Sequence, residues 1–156
     1  MQQPIKYLIK DLKPFMNNQF TINVIVIAQE SKFTTKDNQL VSHYKVADKT
    51  ASISLVIFGE KGAFVKPGDI LNIKGAYTDV HKGRLCLYYN RSHGDVVKVG
   101  EFCMVANLEI DMSENKEKEY APLVEKNRLE KEAMKANRGQ QQRSRWVIFF
   151  LSLFQK

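Results

Sequence analysis

The chain has 156 residues, 44% of them hydrophobic, and Lys plus Arg outnumber Asp plus Glu by 24 to 17, for a net charge of +7. That is enough for one domain with an appendage and a true core, and the basic balance favours a polyanionic partner, nucleic acid or an anionic membrane surface. Cys86 and Cys103 form no CxxC or metal-type spacing and read as reduced thiols of an intracellular protein; residues 1–6 lack the apolar core of a signal peptide.

Lys10, Asp11, Leu12, Lys13 and Pro14 form a lead-in, because Pro14 disfavours helix at Lys13 and cannot donate to a ladder. Phe20, Ile22, Val24 and Val26 then alternate with Thr21, Asn23, Ile25 and Ile27, the period of a strand. Residues 31–39 read as a polar connection with turn chemistry at Asp37 and Asn38. Residues 44–58 read as a hairpin turning at Asp48, Lys49 and Thr50. Past the turn, Ala51, Ile53, Leu55 and Ile57 share the parity of a core face. Ser52, Ser54, Val56 and Phe58 share the other, a mostly small and polar surface ending in a ring.

Residues 59–66 fit a helical turn and 67–69 a tight turn. A fourth strand is expected over 70–78, with Gly75 marking a bulge that re-aims Tyr77. Residues 80–83 reverse the chain, and a fifth strand follows over 84–89. Leu85, Leu87 and Tyr89 lie on one of its faces, Arg84, Cys86 and Tyr88 on the other. Five short strands with a small helical element between the third and fourth predict an all-β, five-stranded OB-fold barrel. An SH3-like barrel also has five strands, and the helical element tips the choice.

Residues 96–105 are apolar enough to pack back on the barrel. Residues 107–114 carry three acids and no base, and 115–145 carry nine basic and five acidic residues, the composition of a solvated helix or disordered arm in which Pro122 would open a helix at Leu123. The last eleven residues begin with an apolar run of nine, too short for the roughly 20 residues of a membrane span. They read as a partner-binding strand, a membrane-surface anchor or the product of an altered reading frame. The expected division is therefore a binding domain over 1–106, a charged tail over 107–145 and a short apolar segment over 146–156.

Four motifs in order, Lys10-Asp11-Leu12-Lys13-Pro14, Lys45-Val46-Ala47-Asp48-Lys49-Thr50, Pro67-Gly68-Asp69-Ile70 and Gly100-Glu101-Phe102-Cys103-Met104-Val105, resemble the family of DNA-binding subunits of the SOSS complex over residues 7 to about 106. These are small eukaryotic single-stranded DNA-binding proteins with one OB-fold. The resemblance implies a nuclear protein that coats single-stranded DNA during double-strand break repair. It implies as partners a large helical-repeat scaffold, an Integrator complex subunit, and a small third member of the SOSS complex. It also implies base stacking on Phe58, Tyr77, His81 and Tyr88, with Phe58 where the family usually has Trp and His81 where it has Phe. Lys10, Asp11, Pro14, Phe102 and Met104 fall in its partner-binding region.

The residues support the same chemistry independently. Every base offers a π-face, so outward rings on a sheet bind a single strand with little regard to sequence, at roughly 1–3 kcal/mol per base. Lys45, Lys82, Arg84 and Arg91 lie near those rings in sequence or on a matching strand face and would neutralise phosphates. An RNA- or tRNA-binding OB module and a scaffold-only interaction module are the alternatives. No enzyme, cofactor or metal is expected. Asp48, Asp69 and Asp79 read as turn residues, and His43, His81, His93 and Cys86 match no ligand spacing.

Overall fold

The computed structural model describes residues 6–17 and 19–154; residues 1–5, where no signal-peptide core is expected, and the last two of the apolar C-terminal segment lie outside the described residues. Among the described residues six strands are present: β1 (Phe20–Thr34), β2 (Leu40–Ala47), β3 (Ser52–Phe58), β4 (Asp69–His81), β5 (Arg84–Tyr89) and β6 (Asp95–Glu101). The ladder runs β1-β2-β3-β5-β4, and β1 also pairs with β4, so five strands close into a ring. β3 and β5 are parallel and meet at only two residue pairs, Ser54 with Cys86 and Leu55 with Leu87. This closed Greek-key barrel with one thin seam is the OB-fold architecture.

Inward parity builds the core. Ile22, Val24, Ile53, Leu55, Ile57, Ile73, Leu85 and Leu87 are completely buried, and each such side chain contributes about 1.5–3 kcal/mol of transfer free energy. Tyr44 joins them and donates its hydroxyl to the Gly62 carbonyl oxygen, fixing the turn that follows β3. That turn is the expected helical element, and it amounts to a single 3-10 turn, Glu60–Ala63.

Gly75, at φ +66°, bends β4. Before it Ile70, Leu71 and Ile73 pair with β1; after it Ala76–His81 pairs along β5. The bend brings the backbone of Gly94 within 2.8 Å of where a Cβ would stand on Gly75, so a side chain is excluded by crowding as well as by φ. β4 extends three residues beyond the expected Thr78, and the reversal shrinks to Lys82 and Gly83, both at positive φ, the two-residue hairpin whose twist suits antiparallel strands.

Asp48 does more than turn the hairpin. Its carboxylate is buried and accepts from the backbone N–H groups of Thr50 and Ala51 and, 39 residues upstream, of Ile9. The lead-in is thereby tied to the β2–β3 turn.

Four further features differ from the sequence expectation. β1 runs on to Thr34, so the polar connection is cut to 35–39; two bulges between Val26 and Ser31 let one strand leave the core and continue as an exposed hairpin with β2. β6 is a sixth strand on β4, held by backbone pairing with Val97 and Val99 exposed, which is why hydrophobic periodicity does not reveal it. Phe102, Cys103 and Val105, expected to pack on the barrel, are exposed; the Phe102 ring lies over Gly68, where only glycine leaves room. The helix α1 (Glu117–Leu153) includes Pro122 in its interior and runs through the apolar residues 146–153, so that segment is neither a strand nor a separate element.

The chain divides into two compact units, one to Lys118 and one from Glu119. In the second, Arg128 bonds Glu125 and Glu132 one turn to either side, and Trp146, Ile148, Phe149, Phe150 and Leu151 are all more than half exposed. Among the described residues no helix is long and apolar enough to cross a membrane.

Candidate nucleic-acid interface

The outward parity of the barrel forms one continuous face. Cross-strand register places Val41 beside Phe58, His43 beside Val56, Lys45 beside Ser54, Ser54 beside Cys86 and Tyr77 beside Tyr88. A small apolar cluster, Val41, Val56 and Cys86, is sealed beneath this face, and Phe58 and Tyr88 lie on it. The rings are thus supported from below and half-exposed above.

Three of the four sequence-predicted rings come together. Tyr77 and Tyr88 lie with centroids 5.5 Å apart and planes 15° from parallel; Phe58 and Tyr88 lie 6.4 Å apart at 18°. Arg91 extends the row, its guanidinium carbon 5.0 Å from the centre of the Phe58 ring, a cation–π contact. The Tyr89 hydroxyl donates to the Phe58 carbonyl oxygen at 3.2 Å and holds the end of β3 in place. A groove of about 500 Å³ opens beside the row, lined by Phe58, Tyr77, Asn90, Arg91, Ser92 and Gln19.

His81 stands apart from the row. It is exposed at the tip of the β4–β5 hairpin, opposite Arg84, with Lys82 in the turn itself. Arg84 and Lys82 line the rim with it. Lys45 is on the outer face, but its ammonium is ion-paired with Asp111. Of the residues expected at a partner surface, Lys10 donates its backbone N–H to the Thr50 hydroxyl, Asp11 and Phe102 are exposed, and Pro14 and Met104 are half-buried.

The outward surface expected of Ser52 and Ser54 is buried. Residues 107–116, whose acids read in sequence as a change of sign, run as a strap along this part of the sheet. Ser52 N–H donates to the Ile110 carbonyl, and Met112 N–H to the Ser52 carbonyl. Ser113 bridges the thin seam: its hydroxyl accepts from Ser54 N–H and donates to the Leu85 carbonyl. Lys116 N–H donates to the Gly83 carbonyl. The Ser52 hydroxyl adds a further bond to the Ile110 carbonyl oxygen.

Burial dominates the titration of the face. It pushes the Tyr88 and Tyr77 phenols up, and with the Glu30 carboxylate it pushes the Cys86 thiol up to about 11, so Cys86 stays protonated and unreactive. Burial lowers His43, against the opposing pull of Glu30 and with a smaller contribution from His81, so its ring is neutral near pH 7. Uncharged rings on an apolar bed can stack on bases, and the surrounding guanidinium groups can meet phosphates.

Sequence reasoning missed several neighbours. Asn90 organises the loop beside the groove, its side-chain oxygen accepting from Ser92 and His93 N–H. Phe33 and His43 lie on the same face with centroids 5.8 Å apart. A lone Phe in an otherwise polar stretch was the available signal. Two acids, Glu30 and Asp79, also occupy the face, the former accepting from the Ser54 hydroxyl.

No protein-family model matches the chain. It is 27% identical over 93 residues to the single-stranded DNA binding protein Ssb of Saccharolobus solfataricus, covering 58% of this chain and 60% of that protein's length. The structure is similar to that of a hypothetical protein of Arabidopsis thaliana, at a TM-score of 0.59 and 17% identity over 74% of this chain and 87% of the other. A domain of replication protein A from Methanococcus maripaludis aligns at a TM-score of 0.48 and 26% identity, over 60% and 97% of the two chains.

Proposed function

We propose that this chain is a single-stranded DNA-binding protein whose outer barrel face stacks bases on Tyr77, Tyr88 and Phe58 while Arg91, Arg84 and Lys82 neutralise phosphates. The carrying observation is the row of three near-parallel rings on adjacent strands, capped by a guanidinium. A flat row of this kind cannot reach bases that are paired and stacked inside a duplex, and stacking is indifferent to base identity. The similarity to a protein named for single-stranded DNA binding supports the same reading. His81 contributes at the rim, and Lys45 only when Asp111 releases it.

The binding function is assigned to the barrel, residues 1–106, with the tail following it. In the cell, the reading extends to the nucleus and to the response to double-strand breaks. There the chain would act within a SOSS-like complex whose large helical-repeat scaffold docks near Lys10, Asp11, Pro14, Phe102 and Met104. The four motifs shared with that family support this part.

The test is fluorescence anisotropy with labelled oligo-dT, oligo-U and duplex DNA at two salt concentrations. The expected result is binding to oligo-dT well above duplex, weakening as salt rises with a slope of about −0.7 per phosphate contact. Equal or tighter duplex binding overturns the proposal. Tighter oligo-U binding transfers it to RNA. Co-precipitation with the scaffold, lost on Phe102→Ala with Met104→Ala, tests the assembly.

A further inference from the structure

We propose that Phe33 and His43 form a second base-stacking site, which lengthens the binding track across the exposed β1–β2 hairpin; this rests on the single-strand-binding reading above. Phe33 is the one large apolar residue in the stretch 28–34, all of it exposed, and half its own surface is open to solvent. Nothing in the barrel core requires a ring there. Its partner across the ladder is Val41, and Val41 pairs in turn with Phe58. Directly opposed residues share a face, so Phe33 lies on the same side of the sheet as the three-ring row.

Each of the five ring-closing strands therefore supplies at least one aromatic side chain of this parity: Phe33 from β1, His43 from β2, Phe58 from β3, Tyr88 from β5, and Tyr77 and the rim residue His81 from β4. At a strand spacing of about 4.8 Å, Phe33 and Phe58 are two strands, or about 10 Å, apart. That separation corresponds to about three nucleotides at the stacked rise of about 3.4 Å per strand. A strand leaving the Phe58 end of the row would reach Phe33 after that interval. Val41, the residue between Phe33 and Phe58 on the ladder, is apolar and buried, so an uncharged bed lies under this interval and the bases can meet the sheet there.

The Phe33–His43 planes are inclined at 35°, an arrangement that presents an open ring to a base instead of closing the pair on itself. The ligand class is a nucleobase of the same single strand, taken without regard to identity.

The experiment compares wild type, Phe33→Ala, Phe33→Leu and Tyr88→Ala on oligo-dT of about 5 and about 12 nucleotides, lengths within the usual range for one OB-fold. Leu keeps an apolar cover over His43 but has no π-face. Expected is a loss of about 5- to 20-fold for both Phe33 variants on the longer oligonucleotide, with the shorter one bound as by wild type. Phe33→Trp should bind the longer oligonucleotide at least as tightly, with quenching beyond the Trp146 signal of wild type. If Phe33→Ala binds both lengths like wild type while Tyr88→Ala weakens both, this inference is wrong and the single-strand reading stands. Equal loss at both lengths, or rescue by Leu, also overturns it, because the residue then acts through packing. If wild type binds neither length, the underlying reading fails and takes this one with it.

Discussion

The outer face of the barrel has two halves built from the same strands at the same parity. One, around Val56, Phe58, Tyr88 and Tyr77, is a bare row of rings on an apolar bed. The other, around Ser52, Ser54 and Lys45, is roofed by the chain's own acidic strap. The reach of β5 decides which half is which. It pairs with β3 only at Ser54 and Leu55, so the backbone of Ser52 is left for the strap, which exchanges N–H and carbonyl groups with it. A strap that bonds through the backbone also brings Asp111 to Lys45, so it both covers half the face and removes one cation from it. Position on a strand therefore predicts orientation but not availability.

The largest effect should come from breaking the bare half. Tyr88→Ala removes the central ring of the row, and oligo-dT affinity measured by anisotropy should fall about 10- to 100-fold, while circular dichroism still shows a folded barrel. An unchanged affinity would remove the row from the interface.

Breaking the roofed half should instead show up as stability. Ser113→Ala leaves the buried Ser54 N–H and the Leu85 carbonyl without their bridging hydroxyl, at a cost of about 1–2 kcal/mol in urea unfolding. Affinity of the folded protein should stay within about twofold. A large loss of affinity at unchanged stability would show that the strap itself carries nucleic acid.

Asp111→Asn sharpens the comparison by freeing Lys45 without removing the strap. The pair is partly exposed, so the gain is modest: about twofold tighter oligo-dT binding, with the salt slope steeper by about 0.7. Unchanged affinity and salt slope would mean that Lys45 plays no part.

The smallest effect is a pH dependence at His43. Burial lowers its folded-state value below the ordinary 6.5, so the fold prefers the neutral ring. Its contribution to stability is fully present above 6.5 and is lost as pH falls through 6.5 toward the lower folded value. Urea midpoints of wild type and His43→Gln at about pH 7.5 and 5.5 should differ more for wild type. Parallel changes in the two proteins would place His43 in a solvated setting.

Much of this molecule is determined by the sequence alone. The alternation through Ala51, Ile53, Leu55 and Ile57, the polar turn at Asp48 and the glycine at 75 dictate the central hairpin, its core face and the bend in β4. They also direct Phe58, Tyr77 and Tyr88 outward, because a period of two assigns each side chain to a face wherever the strand goes. Tertiary structure alone decided what lies over that face. The strap reaches Ser54 from 59 residues away through hydrogen bonds, and β6 pairs through its backbone, so neither leaves a hydrophobic pattern to read. The meeting of Phe33 with His43 depends on two bulges that carry β1 past the barrel, and the pairing of Lys45 with Asp111 depends on the path of the strap. Burial along a strand is written locally, in side chains; contacts between distant backbones are set by where the closed barrel puts its edges, and that is settled only when the chain folds.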